Sequence, residues 1–296
     1  MKAFVCVDND SRYDDVLSAV RWCLAPGNDD EVHLAHVVVP LRWMPRRSED
    51  DPGWAGTERA ILDRVQDFLE QAATRFEDVT VRPLVLEGDA PDEILRAAAE
   101  HQVDYIVMGS VGQARSQDFL VGSVAEKIAF EAGRSVLLVR GAGVHGSRPC
   151  RALLAVDGSE ASLSAVRSFA SLPSARAAEI QLLHVVELPP VTWDLDVEGI
   201  GNLDESTPPV LQERADRAVE SARKILADRD LKAEVKFRRG SPAAEILEVA
   251  RGFSADLVVV GAHGGGSGPL SGVVARRVAR HAPCSVLVAS LRDGKA

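Results

Sequence analysis

The chain has no extended basic run. No more than two basic residues stand in a row, as at Arg46–Arg47 beside an acidic stretch, and the formal net charge is −10. A phosphate polymer needs a basic patch, so nucleic acid is not an expected partner, and the charge reads as solubility. A long apolar run is also missing at the start. "MKAFVCVDND" holds one lysine and five consecutive apolar residues, too few for a signal-peptide core or a membrane span. The four cysteines, Cys6, Cys23, Cys150 and Cys284, show no C-x-x-C spacing. The expectation is small buried residues in a reduced, cytoplasmic protein, with Cys6 inside one strand and Cys284 opening another. H-E-x-x-H, G-x-S-x-G and a metal-ligand cluster are missing, and the only Gly-Lys lies at 294–295. No catalytic residue and no resident metal site is therefore expected.

What the chain does have is a copy of itself. "FVCVDNDSRYDDVLSAV" (Phe4–Val20) matches "LLAVDGSEASLSAV" (Leu153–Val166), with Asp8 opposite Asp157. "VHLAHVVVP" matches "IQLLHVVELP", with His36 opposite His184. Further on, Gly88, Glu93, Asp104 and Gly109 fall opposite Gly240, Glu245, Asp256 and Gly261, and "RSVLLVR" matches "CSVLVAS". An offset near 150 residues in a chain of 296 means two tandem domains rather than a solenoid. The boundary is expected within Gly141–Pro149, which gives domains 1–143 and 148–296.

Short β-branched runs bounded by turn signals predict strands at 2–8, 31–39, 79–86, 104–109 and 135–140. In the second half they fall at 151–157, 179–187, 232–238, 256–261 and 284–290. Between them, Ile61, Val65, Phe68, Leu69, Ala72 and Phe76 share one helical face, as do Leu211, Ala215, Ala218, Val219, Ala222 and Ile225. Strands apolar on both faces, alternating with helices, predict an α/β fold. Each half is then a doubly wound, Rossmann-like domain with a five-stranded parallel sheet.

Ligands of such sheets sit at the carboxyl ends of the strands, where strand order reverses. With strand one central and strand four beside it, that crevice is lined by Asp8–Ser11 and by the loop opening at Gly109. "GSVGQARSQDFLVGS" (Gly109–Ser123) places Gly109, Gly112 and Gly122-Ser123 around the crevice, immediately before the apolar-periodic "VAEKIAFEA". Glycines let a ligand approach the backbone, and a helix N-terminus with a serine hydroxyl suits an anion. The plainer alternative is that glycine ends the strand and Ser123 caps the helix.

The spacing G-x2-G-x9-G-[ST], an aspartate ending strand one and "HV" closing strand two together resemble the universal stress protein family. "AVDGSEAS" and "RHAPCSVLV" strengthen the likeness, which spans nearly the whole chain in two copies. The resemblance implies an ATP-type nucleotide in each competent domain, with Mg2+ as a possible companion. By that likeness Asp8 and Val37 flank adenine and ribose, and Met108 packs near the base. Gly109, Gly112, Gly122, Ser123 and Val124 hold ribose and phosphates. Two departures from the family pattern occur in this half: Asn9-Asp10 replaces Gly-Ser, and Val111 stands where a histidine is common.

The corresponding second-half positions are Asp157, Val185, Val260, Gly261, His263, Gly264 and Gly272. There the turn Asp157–Glu160 and His263 follow the family more closely, yet seven residues separate Gly264 from Gly272 and Val273 replaces the serine. The first half is thus the expected nucleotide site.

His36 and His184 read as satisfied, partly buried imidazoles. A dedicated ATPase needs a placed cation, and the first loop offers only Arg115, so slow hydrolysis at most is expected. The inserts after strand two carry Trp43, Trp54 and Trp193, either packed over helix ends or the interface between halves, or serving as a lid or docking surface. The apolar fifth strands invite edge-to-edge pairing of the halves as a pseudo-dimer, with a further homodimer. A nucleotide-binding regulatory protein and a nucleotide-independent protein-interaction module both remain open.

Overall fold

A computed structural model describes residues 1–8, 13–43, 54–110, 121–141, 148–187, 208–263 and 272–291. The first half contains β1 (Lys2–Cys6), β2 (Glu31–Val38), β3 (Thr80–Glu87), β4 (Tyr105–Gly109) and β5 (Ser135–Val139). Its helices are α1 (Tyr13–Ala19), α2 (Trp54–Ala73), α3 (Ala90–Glu100) and α4 (Ser123–Glu131), and a π-helical turn at Val20–Leu24 follows α1. The second half repeats the order with β6 (Arg151–Ala155), β7 (Glu179–Glu187), β8 (Ala233–Gly240), β9 (Leu257–Gly261) and β10 (Ser285–Ala289). Its helices are α5 (Glu160–Ala170), α6 (Pro209–Ala227), α7 (Pro242–Gly252) and α8 (Val273–His281).

All ten expected strands form. Their order is β3-β2-β1-β4-β5-β10-β9-β6-β7-β8, parallel within each half and antiparallel only where β5 meets β10. Each half therefore has the doubly wound order with its first strand central and its fourth beside it. Five starts fall one residue later than expected, those of β3, β4, β8, β9 and β10, so that Cys284 precedes β10 instead of opening it. Phe76 lies beyond the end of α2 but still packs on the core.

Alternation along the strands builds two apolar layers. Val5, Val107, Leu154 and Val259 face α1, α2, α5 and α6, while Phe4, Ile106, Leu153 and Val258 face α3, α4, α7 and α8. Both layers contain residues of both halves, so the two halves share their cores. Val65, Leu69 and Ala72 of α2, and Ala215, Ala218, Val219 and Ala222 of α6, are buried on the faces read from the sequence.

Several matched pairs turn out to be structural. The Asp104 carboxylate accepts the Lys2 backbone N–H at 2.8 Å, and Asp256 accepts that of Arg151 at 2.9 Å. Each ties the start of a fourth strand to the start of a first. Gly88 and Gly240, with φ of 154° and 138°, make room for the Glu93 and Glu245 side chains folded over them.

Polar contacts join the halves on both faces. On one, the Tyr105 hydroxyl donates to Ser168 O at 2.9 Å, and Ser174 Oγ donates to Cys23 O at 2.7 Å. On the other, Glu126 of α4 takes Arg280 of α8 at 2.7 Å and 2.9 Å, while Arg276 lies 4.2 Å over the Phe130 ring. At an offset of 150, positions 126 and 276 correspond, as do 130 and 280. One kind of contact therefore occurs twice, once as an ion pair and once as a cation–π stack.

Candidate functional site

Strand register gathers the first-half residues. Cys6 pairs with Ala35 on one side and Met108 on the other. Asp8 follows two residues further, just past the carboxyl end of β1. His36 fixes this arrangement: its Nδ1–H donates to Val7 O at 2.7 Å, extending the strand pairing by one bond. The Asp8 carboxylate lies 3.9 Å from that ring and is half exposed. His184 makes the same bond to Val156 O at 2.8 Å. Burial lowers the pKa of His184 and keeps its ring neutral. Both histidines are thus satisfied framework residues.

Met108 is buried in the layer beneath α3 and α4, Val37 is half-buried, and Gly109 is partly exposed. The Ser110 N–H donates to Val139 O at 2.9 Å, and its carbonyl accepts the Gly122 N–H at 2.8 Å. That bond brings the far end of the loop back to the strand edge. Gly122 is the N-cap, with an ordinary extended backbone (φ −64°, ψ 151°) and no side-chain cap. Ser123 is the first helical residue and exposed, so its hydroxyl does not cap α4. The first intrahelical bond runs from Glu126 N to Gly122 O, which leaves the N–H groups of Ser123, Val124 and Ala125 without an intrahelical acceptor. Glu126, whose charge would oppose an anion there, is neutralised by Arg276 and Arg280. Asp14 of α1 is likewise paired with Arg75 at 3.6 Å. Asn9, Asp10, Val111, Gly112 and Arg115 lie outside the described residues.

The second half assembles the same edge with different chemistry. The Asp157 carboxylate is turned inward on its own loop: Oδ1 accepts the Ser159 N–H at 2.9 Å and the Ser159 hydroxyl at 2.5 Å. Ser159 Oγ in turn accepts the Ser162 N–H at 3.2 Å, capping α5. Val260 is buried, Val185 half-buried and His263 exposed. Gly261 lets α5 come close, since a Cβ there would sit 2.7 Å from the Ala161 carbonyl carbon. Gly272 enters α8 from the left-handed region, at φ 82°. Val273 and Val274 are then 49% and 38% exposed where the first half has Ser123 and Val124. Gly264 lies outside the described residues.

One residue unmarked in the sequence joins this site. Arg140, just beyond β5, donates from Nε to Ser110 Oγ at 3.4 Å. Its other nitrogens donate to carbonyls at the C-terminal end of α8: Ala279 at 3.1 Å, Arg280 at 3.5 Å, and Ala282. Burial pulls its pKa below the ordinary arginine value, and its partners are carbonyls and a hydroxyl rather than a carboxylate. The repeat held a signal for it, because Arg140 stands opposite Ser290 and Ser110 opposite Ala262.

The remaining groups offer little chemistry. Burial pushes the Cys23 and Cys284 thiols up to about 12 and raises those of Cys6 and Cys150 as well, so they are poor nucleophiles. Among the described residues no group of His, Cys, Asp and Glu is placed to hold a metal, and no helix is long and apolar enough to cross a membrane. Trp43 is 57% exposed, contrary to a packed role for that ring, and Val39 is 47% exposed. Trp193, the Trp54 side chain and most of both inserts lie outside the described residues.

Known proteins agree with this architecture. A universal stress protein from Mycolicibacterium smegmatis is 28% identical over 303 residues, covering 96% of this chain and 95% of its own. One from Methanothermobacter thermautotrophicus is 43% identical over 141 residues, covering 46% of this chain and 94% of its own. The crystal structure of a universal stress protein from Archaeoglobus fulgidus shares the fold, with a TM-score of 0.63 at 19% identity, covering 98% of each chain. The pattern of the family described as "Universal stress protein family" matches residues 1–140 and again 151–290, and this chain belongs to that family.

Proposed function

We propose that this protein is an ATP-binding regulator of the stress response that takes its nucleotide mainly in the first half. The observation that carries the reading is the start of α4. Backbone N–H groups without intrahelical acceptors, an exposed Ser123 hydroxyl and a neutralised Glu126 meet at the edge that also carries Asp8, Val37, Met108 and Gly109. These donors fit a polyphosphate chain. Gly112, Gly122, Ser123 and Val124 would hold the phosphates and ribose, and Asp8, Val37 and Met108 the nucleoside. When bound, the nucleotide supplies an anion, with Mg2+ as its counterion, that the donors at α4 compensate.

The second half is proposed as the weaker site. Asp157 is already occupied by Ser159, and Val273 stands where the Ser123 hydroxyl would be. Residues 1–143 and 148–296 act as the two domains of a pseudo-dimer in a cytoplasmic protein that further forms homodimers. Binding rather than turnover is proposed, because the Arg140 guanidinium is held by α8 carbonyls instead of facing a reacting phosphate.

Equilibrium dialysis of the full chain with MgATP tests the reading, together with mass spectrometry of whatever small molecule leaves on denaturation. About one nucleotide per chain, abolished by Gly122→Ala with Ser123→Ala, is the expected result. Zero stoichiometry with no copurified nucleotide overturns it. The exposed Trp43 and Val39 favour a second reading, a nucleotide-independent interaction module. Partner capture that ignores ATP and Ser123→Ala but is lost on Trp43→Ala would select that one.

A further inference from the structure

We propose that Arg140 is a positioning residue for the first-half site, through which the second half holds the base of the 109–123 loop in place. Only the ligand arm of this proposal rests on the nucleotide reading above. A continuous series of bonds carries it. The last turn of α8 presents carbonyls without intrahelical donors and the negative end of the helix dipole. The Arg140 guanidinium, a rigid fork of donors, binds there to Ala279 O at 3.1 Å, Arg280 O at 3.5 Å and Ala282 O. Its backbone N–H donates to Ser285 Oγ at 3.1 Å, fixing the same residue to the start of β10. The remaining Nε–H reaches Ser110 Oγ at 3.4 Å. Ser110 is buried, and its carbonyl holds the Gly122 N–H at 2.8 Å, one residue before α4 begins. The C-terminus of a second-half helix is thereby connected to the N-terminus of the first-half helix that presents Ser123.

The repeat provides an internal control. Ser290 stands opposite Arg140 and Ala262 opposite Ser110, so neither half of the link exists in the second domain. There the loop end is packed differently, with the Ala262 carbonyl 2.7 Å from where a Cβ on Gly272 would lie. The link occurs in the half that carries the full glycine–serine spacing and is missing from the half that has lost it. An arginine that served only to cap α8 would need no serine at position 110.

Hydrogen–deuterium exchange on the nucleotide-free full chain reads the link without any ligand. Arg140→Met is expected to speed exchange of the Gly122 amide roughly tenfold, by weakening the element that holds its acceptor. In equilibrium dialysis it is expected to weaken MgATP binding by roughly fivefold to tenfold. Ser110→Ala, which removes only the hydroxyl, is expected to act in the same direction and less. Tyr105→Phe loosens the contact between halves on the opposite face and is expected to leave Gly122 unchanged. Wild-type exchange at Gly122 in both Arg140→Met and Ser110→Ala, or equal acceleration in Tyr105→Phe, overturns the proposal. If Arg140→Met accelerates Gly122 while the wild-type chain binds no MgATP, the positioning role stands and the nucleotide reading falls.

Discussion

Gly122 and Gly272 close the same loop in the two halves, yet they enter their helices by different routes. Gly122 has an extended backbone open to any residue, whereas Gly272 sits at φ 82° with no room for a Cβ. In the second half the glycine is therefore required by the backbone. In the first, the backbone conformation makes no such demand. The turns after β1 and β6 differ in the same sense. Asp8 is half exposed beside His36, while Asp157 is engaged by Ser159. The aspartate of the second half is satisfied on its own loop, whereas that of the first half stays half exposed.

The largest expected effect comes from Gly261→Val, which would drive a side chain into the Ala161 main chain at 2.7 Å. A loss of about 3 kcal/mol in urea unfolding is expected. A loss below about 1 kcal/mol would show that α5 can withdraw from β9. Next, Gly272→Ala should cost about 2 kcal/mol, against less than about 1 kcal/mol for Gly122→Ala. Equal costs would erase the contrast between the two loop ends. Third, Ser123→Ala should weaken MgATP binding about tenfold in calorimetry by removing one bond to an anion. Val273→Ser is expected to restore nothing, because Gly272 still aims the chain differently. A strong second site appearing in Val273→Ser would make the hydroxyl alone decisive.

The smallest effect concerns pH. Burial lowers the pKa of His184, so below about 6.5 the unfolded chain binds a proton that the folded chain resists. Stability should then fall as pH drops from 7.5 towards 5.5, until the folded ring also titrates. His33, buried and stacked 4.2 Å from His101, adds in the same direction in the first half, where Gln181 is its counterpart. Urea midpoints across that range should slope less in His184→Gln than in the wild type. Identical slopes would remove His184 from the account.

Much of this was legible because buried parallel strands leave dense apolar runs and a duplicated chain shows each of them twice. The glycine–serine spacing was legible for a similar reason, since it is local and stands next to a helical pattern. The roles of Asp104 and Asp256 were not, although their match was plain. Their partners are backbone N–H groups 102 and 105 residues away, which carry no side-chain signature. Arg140 was hidden in the same way. It read as the last residue of a strand, and its acceptors are carbonyls 139 to 142 residues further on. The π-helical turn at Val20–Leu24 also left no mark in the apolar periodicity.

The β5–β10 junction has one more consequence. In an assembly of two identical subunits, each residue at such a junction appears on both sides. A buried guanidinium beyond one fifth strand would then have a twin close by, in a region of low polarity. Covalent fusion lifts that constraint. Position 140 can be arginine while position 290 is serine, and each copy is free to specialise without imposing its change on the other. Tandem arrangement thus lets one domain become support for its neighbour.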